Sequence, residues 1–206
     1  MDNIQPTRDV TLADLGQMLD VPHLEFMAKS LRQYNETVYA IIIPYKNARV
    51  DMEILDSVVG RENWQNEYRR DSKGILQCGI GIWSKVREEW IWKWSNGVPS
   101  NFEKEKGEYS DAFKRAGYMW GIGRCLYNFP PIKVQLNDRE WKEKAGGGVQ
   151  ATGFLKPDAW EWDIWIDFQE NCYEQVVVTD KAGNVLFNLE PHKKKYKNLE
   201  NKQNAL

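Results

Sequence analysis

The chain has 206 residues, 42% of them hydrophobic, with 10 Trp and a formal net charge of −2 at a pI near 5.8. That supplies one sizeable core, or a core domain with a small extension. The acidic balance excludes a uniformly basic protein, so any nucleic-acid contact must come from Lys and Arg gathered on one surface.

Between Thr11 and Arg32, the apolar positions Leu15, Leu19, Phe26 and Leu31 predict one or two short helices around Pro22. "VYAIIIP" (38–44) is β-branched and predicts a buried strand. From Val50 to Val59, Met52, Leu55 and Val59 fall at helical spacing, and Gly60 supplies the stop. Three strand-like segments follow: "WQNEYRR" (64–70), "ILQCGIGIWSKVR" (75–87) and "EEWIWKW" (88–94). Short turns between alternating strands predict an antiparallel meander. "GEYSDAFKRAGYMWGIGRCLY" (107–127) predicts a long helix with Ser110 as N-cap, although residues 103–108 can supply an earlier turn. An extended "FPPIKVQL" (129–136) comes next, then "KEKAGGGVQATG" (142–153), whose glycine run predicts a linker. "WEWDIWIDF" and "QVVVTDKAGNVLFNL" read as strands, the latter a hairpin turning at "DKAGN", and the basic, polar tail 191–206 reads as disordered. The expected fold is α+β. An antiparallel three-stranded meander packs on a long helix (a β-β-β-α core), with an N-terminal helix and strand and a small β-rich C-terminal appendix. The expected boundaries are a core over 1–141, a linker over 142–153, the appendix over 154–190 and the tail over 191–206.

Most catalytic chemistry lacks its residues. The two histidines are His23, among apolar residues, and His192, in the tail, which leaves no histidine for a nucleophilic triad in a cleft. Cys78, Cys125 and Cys172 form no CxxC and read as reduced thiols of a cytoplasmic protein. No histidine or cysteine pair has metal-ligand spacing, and no GxxxxGK[ST] phosphate loop is present. "GIGIWS" (79–84) and "GIGRCL" (121–126) lack the third glycine of a dinucleotide-binding loop. Asp158, Glu161, Asp163 and Asp167 lie close enough in sequence for a divalent-ion site, but their alternation with apolar residues fits a solvated strand face better. The expectation is a non-enzyme with no catalytic residue, metal or cofactor. With no bilayer-length apolar run and no secretion signal, no membrane role is expected either.

Binding chemistry is better represented. On a helical wheel, Ala112, Phe113, Ala116, Met119, Trp120, Gly123 and Leu126 occupy one broad arc, and Lys114, Gly117, Tyr118 and Gly121 the opposite one. Asp111 stands one turn before Arg115, placed for an i,i+4 ion pair. The glycines beside Lys114 predict room for a backbone or ligand to approach closely. The second face of 75–87 carries Gln77, Gly79, Gly81, Trp83, Lys85 and Arg87; Lys93 follows on the next strand, and Arg69, Arg70 and Lys73 end the preceding one. A groove between these strands and the Lys114/Arg115 helix would be positive, with Trp83 available for stacking. Sequence-independent binding of a single strand needs this combination. The plain alternative for both segments is a solvated face carrying ordinary charges. Trp90, Trp92 and Trp94 share one strand face and, like Trp160 and Trp162, fit a core or subunit interface better than a base platform.

The blocks "AR" (48–49), "VDMEILDSVVGRENWQNEYR", "CGIGI", "WIWKWSNG" and "EKGEYSDAFKRAGYMWGIGRCLY" resemble the Rad-fifty-two superfamily of single-strand annealing proteins, closest to its phage, Sak-type branch. The resemblance covers residues 35–136, in matching order and spacing. It implies a β-β-β-α core assembled into homo-oligomeric rings or helical arrays. Single-stranded DNA would lie in a positive outer groove, with weaker binding of double-stranded DNA. ATP-independent annealing in phage recombination and repair would take place in the cytoplasm of the bacterial host. By position, Arg49 and Lys114 would contact phosphates at the groove floor with Arg115 beside them. Tyr118 stands where eukaryotic relatives place a further arginine. Nothing after residue 145 has a counterpart in the family. Two other readings stay open: a passive single-strand-binding or end-protecting protein of the same fold, and an interaction module that docks a protein partner through residues 154–190, for example by strand addition. A metal-dependent nuclease fits less well, because the acidic cluster lies outside the basic core.

Overall fold

The structure, a computed structural model, describes residues 11–98 and 104–189. In chain order the elements are β1 (Glu25–Tyr34), β2 (Thr37–Tyr45), α1 (Ala48–Val58), β3 (Trp64–Arg70), β4 (Leu76–Ser84), β5 (Glu89–Asn96), α2 (Lys104–Trp120), β6 (Ile132–Gln135), β7 (Trp141–Glu143), β8 (Val149–Ala151), β9 (Glu161–Asp167), β10 (Cys172–Thr179) and β11 (Val185–Leu189), with short 3-10 turns between some of them. Every strand pairing is antiparallel, so the protein is α+β. The chain divides into two units, one of residues up to 19 with 46–127, the other of 20–45 with everything from 128 onward. No helix of the described residues is long and apolar enough to cross a membrane.

In the first unit, β3, β4 and β5 form the expected meander. Leu76, Cys78, Ile80 and Ile82 of β4 are buried on the face that takes α2, as are Ala112, Phe113 and Ala116 of the helix. The Trp120 indole donates to the Ile80 carbonyl at 2.9 Å. Burying the Cys78 thiol pushes its pKa up to about 12. Asp71 shapes the first hairpin, its Oδ1 accepting the N–H groups of Lys73 and Ile75. The second hairpin turns over residues 85–88, where Glu88 takes a left-handed φ of 55°. β4 therefore stops at Ser84, three residues short of the expected Arg87.

Both helices have readable ends. Asn47 caps α1, its Oδ1 accepting the Arg49 and Val50 N–H groups at 2.9 and 3.4 Å, and Gly60 follows with φ 86°. α2 starts at Lys104, well before Ser110, and runs through Gly107. It ends at Trp120, so the single wheel drawn to Leu126 is cut short. Gly121 has φ 113°, and the Gly121 and Ile122 N–H groups return to the carbonyls of Tyr118 and Gly117 at 3.0 and 3.1 Å. Two such bonds around a left-handed glycine are the Schellman termination, which leaves few orphan carbonyls at the helix end.

The second unit corrects three expectations. Residues 25–34 are a strand, not a helix: β1 pairs with β2 across a two-residue turn at Asn35 (φ 53°), and β6 pairs with the other edge of β2. Met27, Ala28, Lys29 and Leu31 are helix-compatible, but the β-branched run of β2 and the Asn35 turn recruit them as its partner. Residues 142–153 are not a linker. β7 and β8 form a hairpin whose turn uses Gly147 (φ 89°) and Gly148 (φ 77°). The third correction concerns the boundary between core and appendix. The β10–β11 hairpin forms as expected, with the Asp180 carboxylate accepting N–H groups of Ala182 and Asn184 in the predicted turn, and β9 pairs with the other edge of β10 to make one sheet. It shares its unit with β1 and β2, however. The Phe26 ring stacks on Trp162 at 3.5 Å, and the Phe26 N–H donates to Asp158 Oδ1 at 2.6 Å. The tail 191–206 lies outside the described residues.

Candidate nucleic-acid interface

Lys46 ends the excursion into the second unit and is buried. Its ammonium donates to both carboxylate oxygens of Asp51, in the first turn of α1, at 2.5 and 2.6 Å; Asp51 itself is fully buried. Gly117 of α2 and Gly123 just beyond its end make room for this pair. A Cβ on Gly117 would sit 2.8 Å from Asp51 Oδ1, and the Lys46 stem occupies the space where a Gly123 side chain would go. Gly121 packs against Gly16. The glycine stripe beside Lys114 is therefore filled from within the unit by a buried ion pair and a second glycine, not left open as the wheel predicts. Burial pushes both partners toward neutrality. Desolvation lowers the Lys46 pKa against the attraction of Asp51. The same effect raises Asp51 to about 6 against Lys46 and Lys114. Lys114 is half-buried and close enough to act on both groups.

The predicted helix residues sit on α1 and α2. Arg49 is exposed in the first turn of α1 and, like Lys114, makes no ion pair among the described residues. Arg115 pairs with Asp111 at 2.6 Å as expected, and Asp111 also accepts the Val98 N–H at 2.9 Å. Tyr118 is one turn beyond Lys114 and meets the Tyr127 ring edge to face at 5.4 Å. The Arg124 guanidinium stands 5.3 Å over the Tyr118 ring and donates to the Tyr118 and Met119 carbonyls at 2.9 and 3.0 Å. Arg124 escaped the sequence reading. The signal was present in "GIGR", because a cation just past the glycines that end a helix faces its negative C-terminal carbonyls.

Lys93 has a different occupation from the one expected. It projects to the α2 face of the sheet, donates to the Met119 carbonyl at 3.0 Å and lies 4.1 Å from the Trp120 ring centroid. Desolvation, then the nearby Arg124, lowers its pKa. The helix end thus engages Lys93 as it does Arg124.

The remaining predicted residues lie elsewhere. Gly79, Gly81 and Trp83 are paired directly with Trp94, Trp92 and Trp90, and all six occupy the sheet face turned away from α2. A Cβ on Gly79 would come within 2.6 Å of the Trp94 ring, and one on Gly81 within 2.9 Å of Trp92, so these glycines seat indoles. Arg69 caps the row, its guanidinium 3.7 Å from the Trp94 centroid. Trp83 packs edge to face against Trp90 at 5.6 Å. Lys85 and Arg87 are exposed in the 85–88 loop, and Arg87 sits 3.7 Å from Glu89. The sheet thus separates Trp83 from Lys114 and Arg115, and these strands and the helix do not line one groove. Among the described residues no group of three or more His, Cys, Asp or Glu side chains could hold a metal ion; Asp158 is engaged by Phe26, while Glu161 and Asp163 are exposed on β9. No family model matches this chain, nor does any curated protein or solved structure.

Proposed function

We propose that this protein binds single-stranded DNA without regard to sequence and anneals complementary strands without ATP, as a ring or helical homo-oligomer, in phage recombination within the bacterial cytoplasm. One observation carries the reading: in a chain of net charge −2, Arg49 of α1, Lys114 of α2 and Arg124 just beyond α2 have no ion-pair partner among the described residues, and Arg124 lies over the exposed Tyr118. Cations that track a phosphate backbone, with rings at hand for bases, suit a single strand. The mechanism is stoichiometric: each subunit neutralises a few phosphates, and the array holds the strand extended while a complement is found. Duplex DNA, whose bases are already stacked, is held less tightly. The test uses labelled oligonucleotides. Binding should be tight at low salt and fall steeply as salt rises, and mixing with the complement should give faster duplex formation than in buffer. Absence of binding overturns the reading, whereas binding without acceleration leaves a passive end-protecting protein.

A second role is favoured by β9, an edge strand of its sheet. Its outer face carries Glu161, Asp163 and Trp165, the last 60% exposed. An acidic edge bearing an exposed indole suits addition of a basic strand from a protein partner.

A further inference from the structure

Beyond Arg49 and Lys114, the cluster of Arg124, Tyr118 and Tyr127 offers aromatic rings beside a cation. Tyr127, in the turn after α2, is 80% exposed, and Tyr118 is 38% exposed. The two rings meet at 61° with centroids 5.4 Å apart, so Tyr118 braces Tyr127 while most of the Tyr127 ring stays open to solvent. Arg124 is held by two main-chain carbonyls and covers Tyr118, which fixes the buttress. Lys114 stands one helical turn before Tyr118.

From this geometry we infer that Tyr127, braced by Tyr118 and Arg124, is a stacking step for one unpaired nucleobase, with the phosphate of that nucleotide drawn to Arg124 and Lys114. The inference rests on the single-strand reading above and adds to it the element that distinguishes a base from a bare backbone. A rigid aromatic with an open face, beside cations free of ion pairs, fits a planar ring joined to an anion. In a duplex each base face is already covered, so the step would act only on single strands.

The experiment compares three probes: a dT 20-mer, an abasic 20-mer with the same phosphates, and a 20-base-pair duplex. The full-length protein should bind dT more tightly than the abasic strand. Tyr127→Ala should weaken dT binding about tenfold, with abasic and duplex binding changed less than twofold; Tyr127→Phe should keep the wild-type preference. If Tyr127→Ala leaves the dT preference intact, or weakens all three probes alike, the stacking step is refuted while single-strand binding stands. If the wild type binds none of the probes, both readings fall.

Discussion

Two three-stranded meanders of this chain carry tryptophans and come to opposite ends. In β3–β4–β5, helix α2 covers one face; on the other, Trp92 and Trp94 lie over Gly81 and Gly79, and Arg69 caps the row. In β9–β10–β11, Val176 and Val178 are buried and Phe26 stacks on Trp162, whereas Trp165 projects between Asp163 and Asp167 and stays exposed. Indoles two apart on β5 thus share one face as a seated row, whereas Trp162 and Trp165, three apart on β9, fall on opposite faces, one stacked and one solvated. What differs is the partner position. A glycine directly opposite leaves a socket for a ring, and acidic neighbours keep a ring at the surface. Charge divides in the same way, with Arg49 and Lys114 outside ion pairs among the described residues on α1 and α2 and carboxylates on β9, and the net value of −2 averages the two.

The contrast can be broken most forcefully at the buried Lys46–Asp51 pair of the first unit. Asp51→Ala leaves a buried ammonium unpaired and should lower unfolding stability by about 3–5 kcal/mol in denaturant titration, whereas Lys46→Met combined with Asp51→Leu should recover most of that loss. The pair also predicts a pH dependence. Because burial raises the Asp51 pKa from 3.8 to about 6, the folded state holds its proton longer. Its contribution is therefore full below pH 3.8 and is lost as pH rises through about 6. Relative to the double variant, the wild type should lose stability across that window.

The seating of indoles is tested next. Gly79→Ala forces a Cβ into the Trp94 ring and should cost about 1–3 kcal/mol, with a shift in tryptophan emission. Its counterpart in the other sheet, Trp165→Ser, should stay within about 0.5 kcal/mol, since the side chain is mostly exposed; a larger loss would mean that Trp165 is covered in solution. For charge, Lys114→Ala should weaken the proposed single-strand binding and reduce the slope of log affinity against log salt by about 1, with the size of the proposed oligomer unchanged in light scattering. Dissociation of the oligomer would make Lys114 structural.

Where a residue's role depends on neighbours close in sequence, the sequence was enough. β3, α1, the β10–β11 turn and the Asp111–Arg115 pair follow from alternation, caps and i,i+4 spacing. Long-range partners were not legible. β1 carries helix-forming side chains, and only its pairing with β2 makes it a strand. The wheel put Gly117 beside Lys114, but could not say that Asp51 fills the space it leaves, nor that Gly121 lies past the helix end against Gly16. Strand alternation separated the two faces of β4 correctly; what it lacked was the side taken by α2. That choice moved Lys93 onto the helix end and left Trp83 on the far face.

The interleaved division of the chain has a consequence for its synthesis. Once Tyr127 has left the ribosome, every residue of the first unit is available, and that unit can close while translation continues. The β1–β2 hairpin emerges earlier but must wait. The open edge of β2, with Val38, Ala40 and Ile42 destined for burial, has no strand to pair with until β6 appears, and Phe26 has no ring to stack on until Trp162 does. A nascent chain paused after the first unit would therefore display an unpaired apolar strand edge, the feature most prone to pair with another chain.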